Sequence, residues 1–180
     1  MPRAPRIEVP NGHFHVTTRG CNKGSIFAGD STRELHLALL GQTVEDYEWI
    51  CHGYCQMDNH FHLHVQTPHA NLAAGMQFLN GRYAQAFNRI EGRSGHVFQG
   101  RFHSVRITWD GQLWETARYV VLNRVRARAC RYVDDWRWSS YRATAGLAPR
   151  LPERTSLVAP CPASQSAATR PRPPRPPVIT

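Results

Sequence analysis

Polar and apolar positions alternate along His13–Arg19, with His13, His15, Thr17 and Arg19 on one side and Phe14, Val16 and Thr18 on the other. A period of two is that of a half-buried strand. From Asp30 the spacing lengthens: Leu35, Leu39 and Leu40 recur at helical intervals to about Tyr47, with Asp30 as the expected N-cap. Trp49–Met57 reads as a second strand, Asp58-Asn59 as a turn and His60–Thr67 as a third strand, which together predict a hairpin. Asn71 is placed to cap a long helix to about Ile90, carrying Leu72, Met76, Leu79, Tyr83 and Phe87 on one stripe. A glycine-rich basic loop, EGRSGHVFQGRF, separates it from a fourth strand at His103–Trp109. Asp110 then caps a helix through about Val125, and a last short helix is expected near Asp135–Thr144 with Trp136, Trp138 and Tyr141. The order βαββαβα predicts an α+β sandwich of the ferredoxin-like or RRM-like type. Its antiparallel sheet would have four or five strands, with one apolar face under helices and a polar face left to build a site.

Composition narrows the partner. The chain has 180 residues and a formal net charge of +9, from 22 basic and 13 acidic residues. Lys23 is its one lysine. Arginine forks match phosphate oxygens in pairs, so the bias suits a polyanion. A GC-rich genome explains the preference for arginine over lysine equally well, but not the excess of base over acid. Residues 1–148 form one expected domain. Residues 149–180 hold nine of the 13 prolines, no aromatic residue and a charge of +4 (Arg150, Arg154, Arg170, Arg172 and Arg175 against Glu153), and read as a disordered arm. No apolar run approaches the roughly 18 residues of a membrane span. Five cysteines without a CxxC pair read as free thiols of a cytoplasmic protein.

The third strand, NHFHLHVQT, sets His60, His62, His64 and Gln66 on one face. Alternate strand positions lie about 6.5–7 Å apart, close enough for two imidazoles to converge on one ion. The pattern alone is more often a plain polar strand face, and His13 and His15 repeat it. The later helix, WETARYVVLNRVRA, carries Tyr119 and Asn123 four residues apart and therefore on one side. A phenol is a poor nucleophile at its usual pKa near 10 and needs a phosphodiester polarised by a metal. Two imidazoles and an amide oxygen suit Mg²⁺ or Mn²⁺, and zinc accepts the same ligand types. A zinc set of Cys51, Cys55, His60 and His62 is the alternative use of this hairpin. Arg82, Arg89, Arg93, Arg101 and Arg106 lie on or near the long helix, the glycine-rich loop and the fourth strand, as candidate phosphate contacts. Arg124, Arg126, Arg128 and Arg131 form a second basic group, and Arg19 and Lys23 follow the first strand. Phe98 and Phe102 are either base-stacking faces or core anchors.

These pieces together resemble the single-tyrosine HUH transposases, and among them most resemble the REP-associated tyrosine transposases of bacteria. The resemblance covers nearly all of residues 10–146 and rests on GHFHVTTRGCNKGSIF, GYCQMDNHFHLHVQTP, NLAAGMQFLNGRYAQAFNRIEGRSGHVFQGRFHS, ARYVVLNRVRA and WRWSSYRATAG, in that order. It implies that His60 and His62 bind the metal with Asn123 as third ligand, and that Tyr119 is the nucleophile. It implies a 5′-phosphotyrosine link to single-stranded or hairpin DNA, a free 3′-OH and no need for ATP. A nucleoid-associated monomer or homodimer is expected. Three positions depart from the family pattern: Asp58 and Arg124 stand where proline is usual, and His64 where an apolar residue is common. The competing reading is a domesticated module of the same fold that binds DNA or RNA without cutting it.

Overall fold

The computed structural model describes residues 8–127 and 129–146. The arm at residues 149–180 and Arg128 lie outside them. The elements are β1 (Gly12–Arg19), α1 (Asp30–Asp46), β2 (Ile50–Gln56), β3 (His60–Thr67), α2 (Leu72–Ile90), β4 (His103–Ile107), α3 (Asp110–Arg126) and α4 (Tyr141–Thr144). The sheet order is β2-β3-β1-β4 with every neighbouring pair antiparallel, as a ferredoxin-like sandwich requires. β4 stops at Ile107 rather than Trp109 because Ile107 already faces His13, one residue from the start of β1.

Period-two alternation divides the sheet as the sequence predicts. Phe14, Val16, Phe61, Leu63 and Val65 are buried in one core with Leu40 and Val44 of α1 and Leu72, Met76, Leu79, Tyr83 and Phe87 of α2. Phe102 belongs to this core and Phe98 packs against it, so both serve as anchors. The absent side chain of Gly75 admits Trp49, whose ring lies 2.2 Å from where a Cβ would stand. A smaller cluster of Cys55, Met57 and Val120, with Trp136 against it, lies on the opposite face and seats α3 there. That face is thus partly roofed rather than open.

The helix starts differ from expectation. Asp30 and Asp110 are the first residues of their helices, not caps, and Asn71 occupies the N-cap of α2 without a capping side-chain bond. In α1 the Thr32 hydroxyl accepts the Ala28 and Gly29 N–H groups at 3.0 and 3.2 Å. The Asn71 amide instead accepts the Trp49 indole N–H at 2.8 Å and donates to the Tyr47 carbonyl at 2.9 Å. The larger correction is at the C-terminal end. Val133–Asp135 form a 3-10 turn, only Tyr141–Thr144 is α-helical, and Trp138–Ser140 between them lie along the outer edge of β2. Gln56 N–H donates to Trp138 O at 2.9 Å, Ser140 N–H donates to Tyr54 O at 3.0 Å, and Cys55 bridges to Ser139. The unpaired backbone groups of an edge strand take up these residues and outweigh their helical signal.

His36 is fully buried among Phe27, Phe61 and Tyr83. Burial, reinforced by the Arg33 charge, pushes its pKa down to about 3. Below pH 6.5 the unfolded chain therefore binds a proton that the native state refuses. This contribution is complete above pH 6.5 and is lost as pH falls. It should cost about 1.4 kcal/mol per pH unit once well below that value. His62 and His64 are lowered to about 3 by burial as well, so urea midpoints measured from pH 7.5 to 4.5 should decline by more than the His36 share, and a His36→Phe variant that still folds should decline less steeply. Equal slopes would show that His36 is not responsible.

Candidate active site

β3 turns His60 and His62 towards the face that carries α3, and their rings stand 5.0 Å apart at 78°. His60 Nδ1 lies 2.7 Å from the Asn59 carboxamide oxygen. The same amide donates through its nitrogen to Lys23 O at 3.0 Å, so its oxygen faces His60 as an acceptor. His60 Nδ1 therefore carries the proton, and Nε2 keeps its lone pair. His62 Nδ1 lies 3.0 Å from His15 Nε2 and 3.1 Å from Thr17 Oγ1, while its Nε2 is buried without a hydrogen-bond partner. Burial, then the charges of His15, His60 and Arg19, lower the His62 pKa to about 3. Burial and the nearby arginines Arg19 and Arg124 lower that of His60. Both rings are neutral near pH 7, the form that ligates metal.

α3 brings Tyr119 over His62 and His15. Its ring is 5.8 Å from that of His62 and 5.5 Å from that of His15, edge-on to both, with the Arg126 guanidinium 5.2 Å from its centre. Tyr119 is 38 % exposed, so solvent or substrate reaches it. It borders a cavity of about 680 Å³ with His15, Gln112, Glu115, Thr116, Arg118 and Arg126. Asn123 is buried and donates its amide N–H to Tyr119 O at 2.9 Å. That bond leaves the carboxamide oxygen as the end a cation would use.

The buried, unpartnered His62 Nε2 and a mixed nitrogen and oxygen donor set fit a divalent ion. Among the described residues no three His, Cys, Asp or Glu side chains are grouped to hold a metal. Two imidazoles and an amide fall outside such a grouping, whereas the zinc set with Cys51 and Cys55 would fall within it. Burial pushes both thiols up to about 12, and Cys51 lies in the core on the other face. His13, His52 and His64 form a separate stack, with His52 5.0 Å from His13 and 4.9 Å from His64. His13→Ala should therefore leave Mn²⁺ affinity unchanged in a titration, and a loss matching that of a His62 variant would reassign the ligands.

The basic residues divide by environment. Arg19 and Arg101 line one groove with Thr17, Gln99, Gly100 and His103, beside the histidine face. Lys23 borders a smaller hollow with Asn59, His60 and Arg124. Arg82, Arg89, Arg93, Arg106 and Arg126 are exposed. The Arg124 guanidinium is engaged by Asp58 and lies 3.7 Å from the centre of Trp136. His15 is the site residue that strand-by-strand reading misses. Register pairs Thr17 with His62 and His15 with His64, so β1 supplies neighbours to the motif on β3. Only the strand pairing reveals this.

A family model for IS200-like transposases matches residues 8–127, a span that includes His60, His62, Tyr119 and Asn123. The chain belongs to the IS200-like transposase family. The fold of this IS200-like transposase is also that of a solved REP-associated tyrosine transposase bound to a REP hairpin. The two share 17 % identity with a TM-score of 0.68, over 83 % of this chain and 89 % of the other. The tRNA(His) guanylyltransferase of Saccharomyces cerevisiae is a more distant likeness, with 9 % identity, a TM-score of 0.47 and coverage of 67 % and 62 %. No curated protein matches the sequence. No helix among the described residues is long and apolar enough to cross a membrane.

Proposed function

We propose that the protein is a metal-dependent single-stranded DNA transposase that cuts and rejoins strands through Tyr119. The observation that carries this reading is the Tyr119 ring set 5.8 Å from His62, whose Nε2 is buried and unpartnered. The Tyr119 oxygen attacks a phosphorus atom. The phenol gives up its proton as an O–P bond forms to the tyrosine and the P–O3′ bond breaks, and the departing oxygen takes up one proton to become a free 3′-OH, so that the step leaves the proton count unchanged. The 5′-phosphotyrosine conserves the energy of the phosphodiester, so a 3′-OH rejoins by the reverse step without ATP. His60, His62 and the Asn123 oxygen would hold Mg²⁺ or Mn²⁺, which polarises the phosphate and offsets its developing charge. Asn59 and His15 fix the two imidazole rings from behind. Arg126, Arg19 and Arg101 flank the approach and neutralise phosphates of a threaded strand.

Hairpin DNA with a single-stranded flank is the proposed substrate, supported by family membership and by the hairpin held by the REP-associated structural neighbour. The proposed setting is the bacterial cytoplasm, at the nucleoid, with the protein acting as a monomer or homodimer. Tyr119 lies on a helix seated against the sheet, so the reactive phosphate must enter between them. A lone strand bends into such a cleft, whereas a paired one is held on its helical path. Three labelled substrates of one sequence, incubated with Mn²⁺ and resolved under denaturing conditions, test this. Covalent adduct should form in the order hairpin with flank, linear strand, duplex, with the last near zero. Efficient cutting of the duplex would rule the reading out.

A further inference from the structure

Asp58 and Arg124, the two residues that stand where the resembling family carries proline, meet in space. Arg124 Nη1 and Nη2 lie 2.8 and 3.0 Å from the two Asp58 carboxylate oxygens, a two-bond fork. Arg33 Nη2 adds a third bond to the same carboxylate at 2.8 Å. Trp136 covers the group: it lies 3.7 Å from the Arg124 guanidinium and 5.2 Å from that of Arg33, and its indole N–H donates to Gln56 O at 3.0 Å. The side chains of Arg33 and Arg124 are only 8 % and 12 % exposed. The Asp58 side chain is 59 % exposed, so solvent screens the charge attraction, and it is the fork geometry and the Trp136 stacking on the buried arginine side that restrict orientation.

Its place in the chain gives it a task. Asp58 lies two residues before His60, and Arg124 directly follows Asn123. Val120 plugs α3 into the Cys55 and Met57 cluster, with Thr116 and Asn123 buried on the same side of the helix, so side-chain packing is its first attachment. The fork supplies a second point, near the C-terminal end. We propose that Asp58 and Arg124 are positioning residues that latch α3 to the β2–β3 turn, fixing Tyr119 and Asn123 against His60 and His62. The catalytic part of this rests on the reading of Tyr119 as nucleophile, whereas the docking of α3 does not.

The test compares Asp58→Asn, Arg124→Gln, their double variant and Arg124→Lys with the wild type. Single-turnover adduct formation with hairpin DNA and Mn²⁺ is measured beside DNA affinity and backbone hydrogen exchange. Either single change should slow adduct formation about tenfold, leave DNA affinity within twofold, and raise exchange along residues 119–126 but not along α2. The double variant should be no slower than the worse single, because both remove one interaction. Arg124→Lys keeps the charge without the fork and should fall between wild type and Arg124→Gln. Two results would overturn the latch. One is weakened DNA binding in Arg124→Gln but not in Asp58→Asn, which makes Arg124 a phosphate contact. The other is unchanged exchange along α3 in folded variants. A wild type that forms no adduct defeats the nucleophile reading, while the exchange measurement still decides whether α3 is latched.

Discussion

Tyr119→Phe is expected to abolish covalent attachment to DNA while sparing fold and DNA affinity. The ring's edge contacts with His15 and His62 survive in phenylalanine, so the packing of α3 does not change. Only the oxygen proposed to attack is lost, and with it the bond on which the proposed reaction depends. Removing a nucleophile outright costs roughly 10⁴-fold or more, which places the variant at background. The structure also limits what could stand in for it. Tyr83 is fully buried and its hydroxyl donates to the Ile26 carbonyl, leaving it out of reach of DNA. An adduct that persists in Tyr119→Phe would move the nucleophile elsewhere, with the half-buried Tyr141 the next to replace.

The second large effect is expected at the metal. His62→Ala and His60→Ala should each remove detectable Mn²⁺ binding in calorimetry and abolish cleavage, with DNA affinity largely retained. His62 should be the more sensitive, because its Nε2 is enclosed whereas His60 is only half-buried. His15 would act on this proposed ligand from behind. For His62 Nε2 to bind a cation, its Nδ1 must carry the proton and donate it to His15 Nε2 or Thr17 Oγ1. Loss of such a partner typically costs 10–100-fold in metal affinity. His15→Phe should fall in that range, and His15→Gln, which restores an acceptor, should recover part of it. Full Mn²⁺ affinity in His15→Phe would mean that Thr17 suffices.

Much of this site is legible in the sequence because it is local. The His60/His62 spacing follows from the pleat of one strand, and the Tyr119/Asn123 spacing from one turn of one helix. What stays hidden depends on register and on competition for partners. Nothing near His15 announces that antiparallel pairing will set it diagonally to His62, within reach of its ring. Asp58 and Arg124, 66 residues apart, read singly as a turn residue and a basic surface residue until the fold joins them. Trp136, Trp138 and Tyr141 suggest one helix, but an unfilled strand edge draws the backbone of Trp138–Ser140 to itself and leaves only Tyr141 to start a helix. Asn71 has the right residue type for a cap, yet the Trp49 indole claims its oxygen.

The strip before α4 has a consequence for growth of the sheet. Its hydrogen bonds occupy the outer margin of β2 at Tyr54–Gln56, which leaves β4 at the opposite margin of the sheet without a strip of its own among the described residues. β4 is five residues long, with His103, Val105 and Arg106 exposed. A second sheet adding there would bring two arginine-bearing margins together, with little length over which to offset their repulsion. The strip thereby shortens the stretch of β2 on which a second sheet could grow, and so discourages end-to-end stacking of copies into fibrils.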